Sequence, residues 1–209
     1  MRGVYLVTDR DLCCNRSLLD VVLQAVQSGT AYVQLREKDL STHDFVEEAI
    51  AVKKLLLPFH VPLIINDRID VALACGADGV HIGQNDMPYE TARRLMGDRA
   101  MIGLSVETWA DVEASQNLDV DYIGVSPVFP TPTKTDTKEA WGLEGLQKIK
   151  SFSRHPLVAI GGINECNART VVQAGADCLA VVSAVCSADD PAAAVINLND
   201  IINSALREK

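Results

Sequence analysis

Eight short apolar runs recur along the chain, at 4–7, 32–35, 63–65, 79–82, 101–105, 122–125, 157–160 and 178–182. Each is followed by a longer stretch whose apolar residues fall at helical spacing: 17–27, 42–56, 69–74, 88–96, 108–117, 143–151, 164–173 and 191–206. This strict alternation constrains the fold more than any other feature, because strands joined through helices must run parallel. Segments such as Leu157-Val-Ala-Ile160 are apolar throughout, as strands are when both faces of their sheet are covered. Eight such units predict an α/β chain closed as a (β/α)8 TIM barrel. An open doubly wound sheet has about six strands and usually a glycine-rich first turn. The first turn here, Thr8-Asp-Arg-Asp-Leu12, has no glycine.

Local signals agree with the boundaries. Ser41 to Asp44 offers helix N-caps before an apolar-periodic run, and Gly29, Gly76 and Gly175 fall where a helix ends. Cys75-Gly-Ala-Asp78 and Ala174-Gly-Ala-Asp177 repeat one kind of helix-to-strand turn. A length of 209 residues, 48% hydrophobic, suits one barrel domain over 1–209. No apolar run approaches the roughly 20 residues needed to span a bilayer. The N-terminus turns acidic at Asp9 before any signal-like apolar region develops, so a cytoplasmic protein is expected. A net charge of −9 argues against general nucleic-acid or membrane-surface binding. The six cysteines form no Cys-x-x-Cys pair and are expected to be buried, reduced thiols.

In a barrel, the chemistry sits just after the C-terminal ends of the strands. After the second run, Gln34-Leu-Arg-Glu-Lys38 alternates, sending Gln34, Arg36 and Lys38 to one side and Leu35 and Glu37 to the other. An amide, a guanidinium and an ammonium on one space suit a polyanion. After the third and fourth runs come Asn66-Asp67 and His81-Ile-Gly-Gln-Asn-Asp86. Two carboxylates beside a polyanion repel it unless a cation lies between, and Mg²⁺, held by one or two carboxylates plus phosphate oxygens, resolves the conflict. The alternatives are Asp86 as a helix N-cap and Asp67 paired with Arg68. His81, alone on an apolar strand, reads as a packed, hydrogen-bonded interior histidine. Ser105 follows the fifth run with no His–Asp arrangement near it in sequence, so it does not read as an activated nucleophile.

After the sixth run, Pro127-Val-Phe-Pro-Thr-Pro-Thr-Lys134 is too rich in proline for helix interior or central strand. It forms a stiff loop presenting Thr131, Thr133 and Lys134, donors suited to phosphate. Ile160-Gly-Gly-Ile163 and Val181-Val-Ser-Ala184 follow the last two runs, where backbone N–H groups of this fold often hold phosphate. The mouth thus offers a cationic, metal-assisted anion site on strands two to four and a neutral cradle on loops six to eight. Two phosphorylated small molecules would fit.

Taken together, Gln34-Leu-Arg-Glu-Lys38, Asn66-Asp67, His81-Ile-Gly-Gln-x-Asp86, Gly103-x-Ser105, Phe129-Pro-Thr-x-Thr-Lys134, Ile160-Gly-Gly-Ile163 and Val181-Val-Ser-Ala184 resemble, in order and spacing, the motifs of thiamine-phosphate synthase. The resemblance implies coupling of 4-amino-2-methyl-5-hydroxymethylpyrimidine diphosphate with 4-methyl-5-(2-phosphoethyl)thiazole, giving thiamine phosphate and pyrophosphate. It implies that Gln34, Leu35, Arg36, Glu37, Lys38, Asn66, Ser105 and Lys134 hold the pyrimidine diphosphate. Thr131, Pro132, Thr133, Gly162, Val182 and Ser183 would hold the thiazole phosphate, and Asp67 and Asp86 would bind Mg²⁺. Arg36, Lys38, Lys134 and Ser105 are the implied catalytic residues. The implied mechanism is dissociative: pyrophosphate leaves first and the neutral thiazole nitrogen attacks, so no strong base is needed. Trp141 is bulkier than the family pattern leads one to expect, and the stretch from Pro127 to Gly142 is the natural lid.

Other readings follow from parts of the pattern. A thiazole tautomerase-like relative would share the barrel and the thiazole-phosphate cradle but has no pyrophosphate to bind, which Gln34, Arg36, Lys38 and both aspartates speak against. A non-catalytic thiamine-phosphate sensor would want a second domain to pass on its signal. An epimerase of sugar phosphates would leave the second anion site unused. The expected partners are two phosphorylated substrates, with neither nucleic acid nor membrane; a homo-oligomer is compatible with the sequence.

Overall fold

The structure, a computed structural model, describes residues 1–131 and 138–208. Strands β1 (Val4–Val7), β2 (Tyr32–Leu35), β3 (Leu63–Asn66), β4 (Gly79–Ile82), β5 (Met101–Val106), β6 (Tyr122–Val125), β7 (Leu157–Ala159) and β8 (Cys178–Val181) close into a barrel in sequence order. Every neighbouring pair is parallel, including β8 with β1. Around it lie α1 (Leu18–Gln27), α2 (Thr42–Leu56), α3 (Ile69–Cys75), α4 (Tyr89–Met96), α5 (Trp109–Ser115), α6 (Gly142–Phe152), α7 (Ala168–Gln173), α8 (Ser183–Cys186) and α9 (Pro191–Arg207). The alternation read from the sequence is therefore that of a (β/α)8 barrel. No helix among the described residues is long and apolar enough to cross a membrane.

Where boundaries move, side chains explain it. Ser17, Ser41 and Thr108 cap α1, α2 and α5 by accepting the N–H of Asp20, Asp44 and Asp111, so Ser17 and Thr108 stand outside the helices they start. Helix α7 begins at Ala168 rather than 164. Asn164 Oδ1 accepts the Cys166 N–H and Asn167 Oδ1 accepts the Asn164 N–H, turns that compete with helix. The four-residue α8 carries too few residues for periodicity to reveal it.

The repeated turn before alternate strands has one hydrogen-bonding scheme. Asp78, just before β4, accepts the Leu63 N–H at 2.7 Å and the Lys53 ammonium at 2.6 Å through Oδ2. Asp177, before β8, does the same with Leu157 N–H at 2.8 Å and Lys150 at 2.7 Å. Asp121, before β6, takes Ile102 N–H at 2.8 Å and Arg93 at 3.2 Å. Each carboxylate thus fastens the start of the preceding strand and a base from the outer helix ring.

The pleat divides the apolar residues into two cores. Val4, Leu6, Val33, Leu35, Leu63, Ile65, Val80, Ile102 and Ile123 point outward and pack with the helices. Tyr5, Val7, Ile64, Tyr122, Val158, Cys178 and Ala180 point inward and fill the barrel. Burying both sets drives closure, at about 25 cal/mol per Å² of apolar surface removed from water. The cysteines depart from expectation. All are free thiols, and Cys13, Cys178 and Cys186 are buried, but Cys14 and Cys166 are exposed on turns, where no apolar run foretells burial either way.

Candidate active site

Inward positions turn polar toward the C-terminal ends of β2 to β6: Gln34, Asn66, His81, Ser105 and Ser126 all line a cavity of about 330 Å³. Just beyond β7 and β8 the same level is apolar, with Ile160 and Val182. The cavity therefore has one polar, charged wall and one smooth wall.

Arg36 and Lys38 carry the alternation of β2 beyond its last residue and line the cavity with Gln34. Leu35 and Glu37 do not. Leu35 is fully buried among the outer-core residues, and Glu37 turns to Arg10, which it meets at 3.4 Å and which also pairs with Glu48. Burial and the adjacent Glu48 carboxyl push the Glu37 carboxyl up to about 7, against the pull of Arg10. The Gln34 amide is engaged with Tyr5, and the Arg36 guanidinium lies 3.7 Å from Asp9.

Asp67 follows β3 with a left-handed backbone, φ 60°, a conformation that non-glycine residues adopt at a cost of order 1 kcal/mol or more. Its Oδ2 accepts the Lys38 ammonium at 2.6 Å. Arg68 is not its partner; that side chain forks onto Asp70 and reaches Thr42. Asp86 is not a helix cap either. It accepts the Gly83 N–H at 2.7 Å, closing the turn after β4, while Pro88 occupies the α4 N-cap. The two aspartates touch. Burial raises Asp67, but hydrogen bonds from Lys38 and with Asp86 outweigh it and leave its carboxyl below the ordinary range. Burial and the neighbouring Asp67 raise Asp86. One carboxyl is held ionised and the other resists ionisation, as two acids in contact do when a single ammonium serves the pair. Among the described residues no group of three His, Cys, Asp or Glu gathers to hold a metal. Two carboxylates fit a magnesium ion that keeps water and phosphate oxygens as its other ligands, rather than an all-protein cage.

Across the mouth, Thr131, Gly162, Val182 and Ser183 line the cavity. Gly161 and Gly162 have φ of 103° and 64°, and a Cβ on them would meet Pro127 at 2.6 Å and Phe129 at 2.9 Å. Two glycines are thus demanded by backbone shape and by the loop packed over them. Pro132, Thr133 and Lys134, and the middle of the expected lid, lie outside the described residues. Trp141 packs on the first turn of α6 against Gly145.

The structure also gathers residues that sequence reasoning left without a role. His81 is hydrogen-bonded in the barrel as expected, yet it also lines the cavity and meets Ser105 Oγ through Nε2 at 2.8 Å. Behind it stands Tyr122 on Nδ1 at 3.0 Å, a phenol and not a carboxylate, so the pair is not an acylating triad. The contact joins β4 to β5 and has no signature in spacing. Gln84 lines the cavity and donates to the Ser105 carbonyl at 2.6 Å; Glu107 and Lys138 also line it. Gln84 belongs to the motif running from His81 to Asp86, whereas Lys138 sits in a stretch without pattern.

The family model described as thiamine monophosphate synthase matches residues 4–185. A thiamine-phosphate synthase of Albidiferax ferrireducens is 58% identical over 201 residues, spanning 96% of this chain and 92% of its own length. One from Leptospira biflexa is 53% identical over 204 residues, spanning 96% and 97%. The solved thiamine phosphate pyrophosphorylase from Pyrococcus furiosus superposes with a TM-score of 0.89 at 36% identity, covering 98% of this chain and 96% of that one. Matched over most of its length by the family model, and by two relatives more than half identical, the chain belongs to the thiamine monophosphate synthase family.

Proposed function

We propose that this chain couples 4-amino-2-methyl-5-hydroxymethylpyrimidine diphosphate with 4-methyl-5-(2-phosphoethyl)thiazole, releasing thiamine phosphate and pyrophosphate in thiamine biosynthesis. The observation that carries the reading is a near full-length match to thiamine-phosphate synthases in a barrel whose cavity is charged on one wall and smooth on the other.

The pyrimidine diphosphate would lie along Gln34, Arg36, Lys38, Asn66 and Ser105, joined by Lys134. Leu35 and Glu37 would contribute through backbone alone, since their side chains face outward. Asp67 and Asp86 would hold Mg²⁺, whose charge offsets that of the diphosphate. Arg36, Lys38 and Lys134 would stabilise the departing pyrophosphate, and the aminopyrimidine ring would delocalise the cation left behind. Charge placed beforehand where charge develops supplies most of such an acceleration. The thiazole phosphate would rest on Thr131, Pro132, Thr133, Gly162, Val182 and Ser183, which would aim the thiazole nitrogen at the methylene carbon. That nitrogen has no proton to lose, so the scheme needs no general base. A single barrel domain over 1–209, cytoplasmic, acting on two small substrates with no nucleic-acid or membrane partner and open to homo-oligomerisation, completes the reading.

The test is an assay of the purified protein with both precursors, following both products with Mg²⁺ and with EDTA. Stoichiometric, metal-dependent formation of thiamine phosphate and pyrophosphate is expected. Binding of the thiazole phosphate without coupling would sink the reading in favour of a tautomerase-like or sensor role. Asp67→Ala is expected to lose at least a hundredfold in rate, about 3 kcal/mol of barrier, while unfolding in urea at nearly the wild-type midpoint. Full activity in that variant would remove Asp67 from the metal site.

A further inference from the structure

A continuous file of hydrogen bonds crosses the barrel interior beneath the cavity. Gln34 Nε2 donates to Tyr5 Oη at 2.9 Å, and Tyr5 Oη meets Tyr122 Oη at 2.9 Å. Tyr122 Oη meets His81 Nδ1 at 3.0 Å, and His81 Nε2 meets Ser105 Oγ at 2.8 Å. Both tyrosines are buried, at 1% and 0% exposure, among apolar neighbours. Two glycines make room for the file: a Cβ on Gly103 would strike Tyr122 at 2.0 Å, and one on Gly124 would come within 2.9 Å of His81.

We propose that this file runs in one direction, from Gln34 to Ser105, and that Tyr122 is a positioning residue that makes the Ser105 hydroxyl a donor to the bound pyrimidine diphosphate. The proposal rests on the function proposed above. The direction comes from counting donors. Tyr5 oxygen already accepts from the Gln34 amide, so its own hydrogen needs an acceptor, and the Tyr122 oxygen is the one beside it. Were Tyr122 instead to donate to Tyr5, the Tyr5 hydrogen would be buried with no acceptor, a loss that folded proteins avoid. Tyr122 therefore donates onward to His81 Nδ1, which must be unprotonated. The imidazole then carries its hydrogen on Nε2 and donates it to Ser105 Oγ. Ser105 accepts, and its hydrogen is left for a ligand acceptor in the cavity that Ser105 lines. Burial holds both phenols far above their ordinary ionisation range, which keeps them as donors across the working pH. No proton is transferred along the file; its polarity alone selects what Ser105 offers.

The test reads the tautomer directly. Imidazole ¹⁵N spectra of the full-length protein, with the His81 signals assigned by their absence in His81→Asn, are expected to show the neutral Nε2–H form. Tyr122→Phe removes the group that dictates this form and is expected to shift His81 to a mixed or Nδ1–H state. It should also raise the KM for the pyrimidine diphosphate about tenfold, a typical loss for a hydrogen bond to a charged group, while the KM for the thiazole phosphate stays within twofold. Tyr5→Phe deletes an equally buried phenol oxygen but leaves Tyr122 able to donate only to His81, so the Nε2–H tautomer and the KM for the thiazole phosphate should hold. A merely structural role predicts that the two variants behave alike, and that outcome overturns the proposal. An Nδ1–H or doubly protonated His81 in the unmodified protein overturns it as well. Failure of the coupling assay with the Nε2–H tautomer intact would count against the function and not against the polarity.

Discussion

Replacing Gly103 by alanine pushes one methyl group into the hydrogen-bonded file inside the barrel, and the geometry there sets the size of the damage. The new Cβ would lie 2.0 Å from Tyr122 Cζ, 2.3 Å from its Oη and 2.5 Å from Cε2. Ordinary contact begins near 3.4 Å, so the ring must retreat by the difference from 2.0 Å, about 1.4 Å. Its hydroxyl is tied to Tyr5 at 2.9 Å and to His81 at 3.0 Å, and a ring displaced that far cannot keep both. Overpacking costs about 1–3 kcal/mol, and a buried polar group left unpaired about 1–3 kcal/mol more. The expected loss is about 2–6 kcal/mol, a large part of the roughly 5–15 kcal/mol that holds a domain folded. Urea unfolding should show a lower midpoint at unchanged slope. In a Tyr122→Leu background the clashing atoms are gone, and Gly103→Ala should cost at most half as much. A loss under about 1 kcal/mol, or an equal loss in both backgrounds, would refute the reasoning. Gly76→Ala is the counterpart: with φ 63° and nothing within 4 Å of its Cβ, it should lose only about 1–2 kcal/mol of backbone strain.

Glu37 predicts a pH dependence. Its folded-state affinity for a proton is raised from the ordinary 4.5 to about 7, so its contribution to stability is full below 4.5 and lost as pH rises through about 7. The urea midpoint should fall across that window and Glu37→Gln should flatten the fall; a flat wild-type curve would show the carboxyl ionised throughout. At the other end of the barrel, Asp78→Ala strands the Leu63 N–H and should cost about 1–3 kcal/mol. Lys53→Met removes only a half-exposed ion pair and should cost under about 1 kcal/mol by the same urea measurement; the reverse order would mean the ion pair, not the strand anchor, matters.

The charged wall of the cavity was legible in the sequence, Lys138 apart, because its members stand at the ends of apolar runs, and strand alternation decides which side each faces. Gln34, Arg36 and Lys38 share the cavity for that reason, and Glu37 leaves it for the same one. Asp67 and Asp86 were legible as a pair because neighbouring parallel strands bring their ends together. Their actual partners were not: proximity in sequence suggested Arg68, whereas Lys38 arrives from the neighbouring strand end.

Periods of two and of 3.6 residues, and caps within four residues of where they act, are local properties of the chain. They suffice for the alternation, the barrel it closes into and the side chains that crown each strand. The file of Gln34, Tyr5, Tyr122, His81 and Ser105 came into view only with the folded barrel. Those residues come from β2, β1, β6, β4 and β5, and they meet because the barrel turns alternate residues of every strand toward one axis. A periodicity within a strand records which way a side chain points, but not which residue across the barrel it will find there.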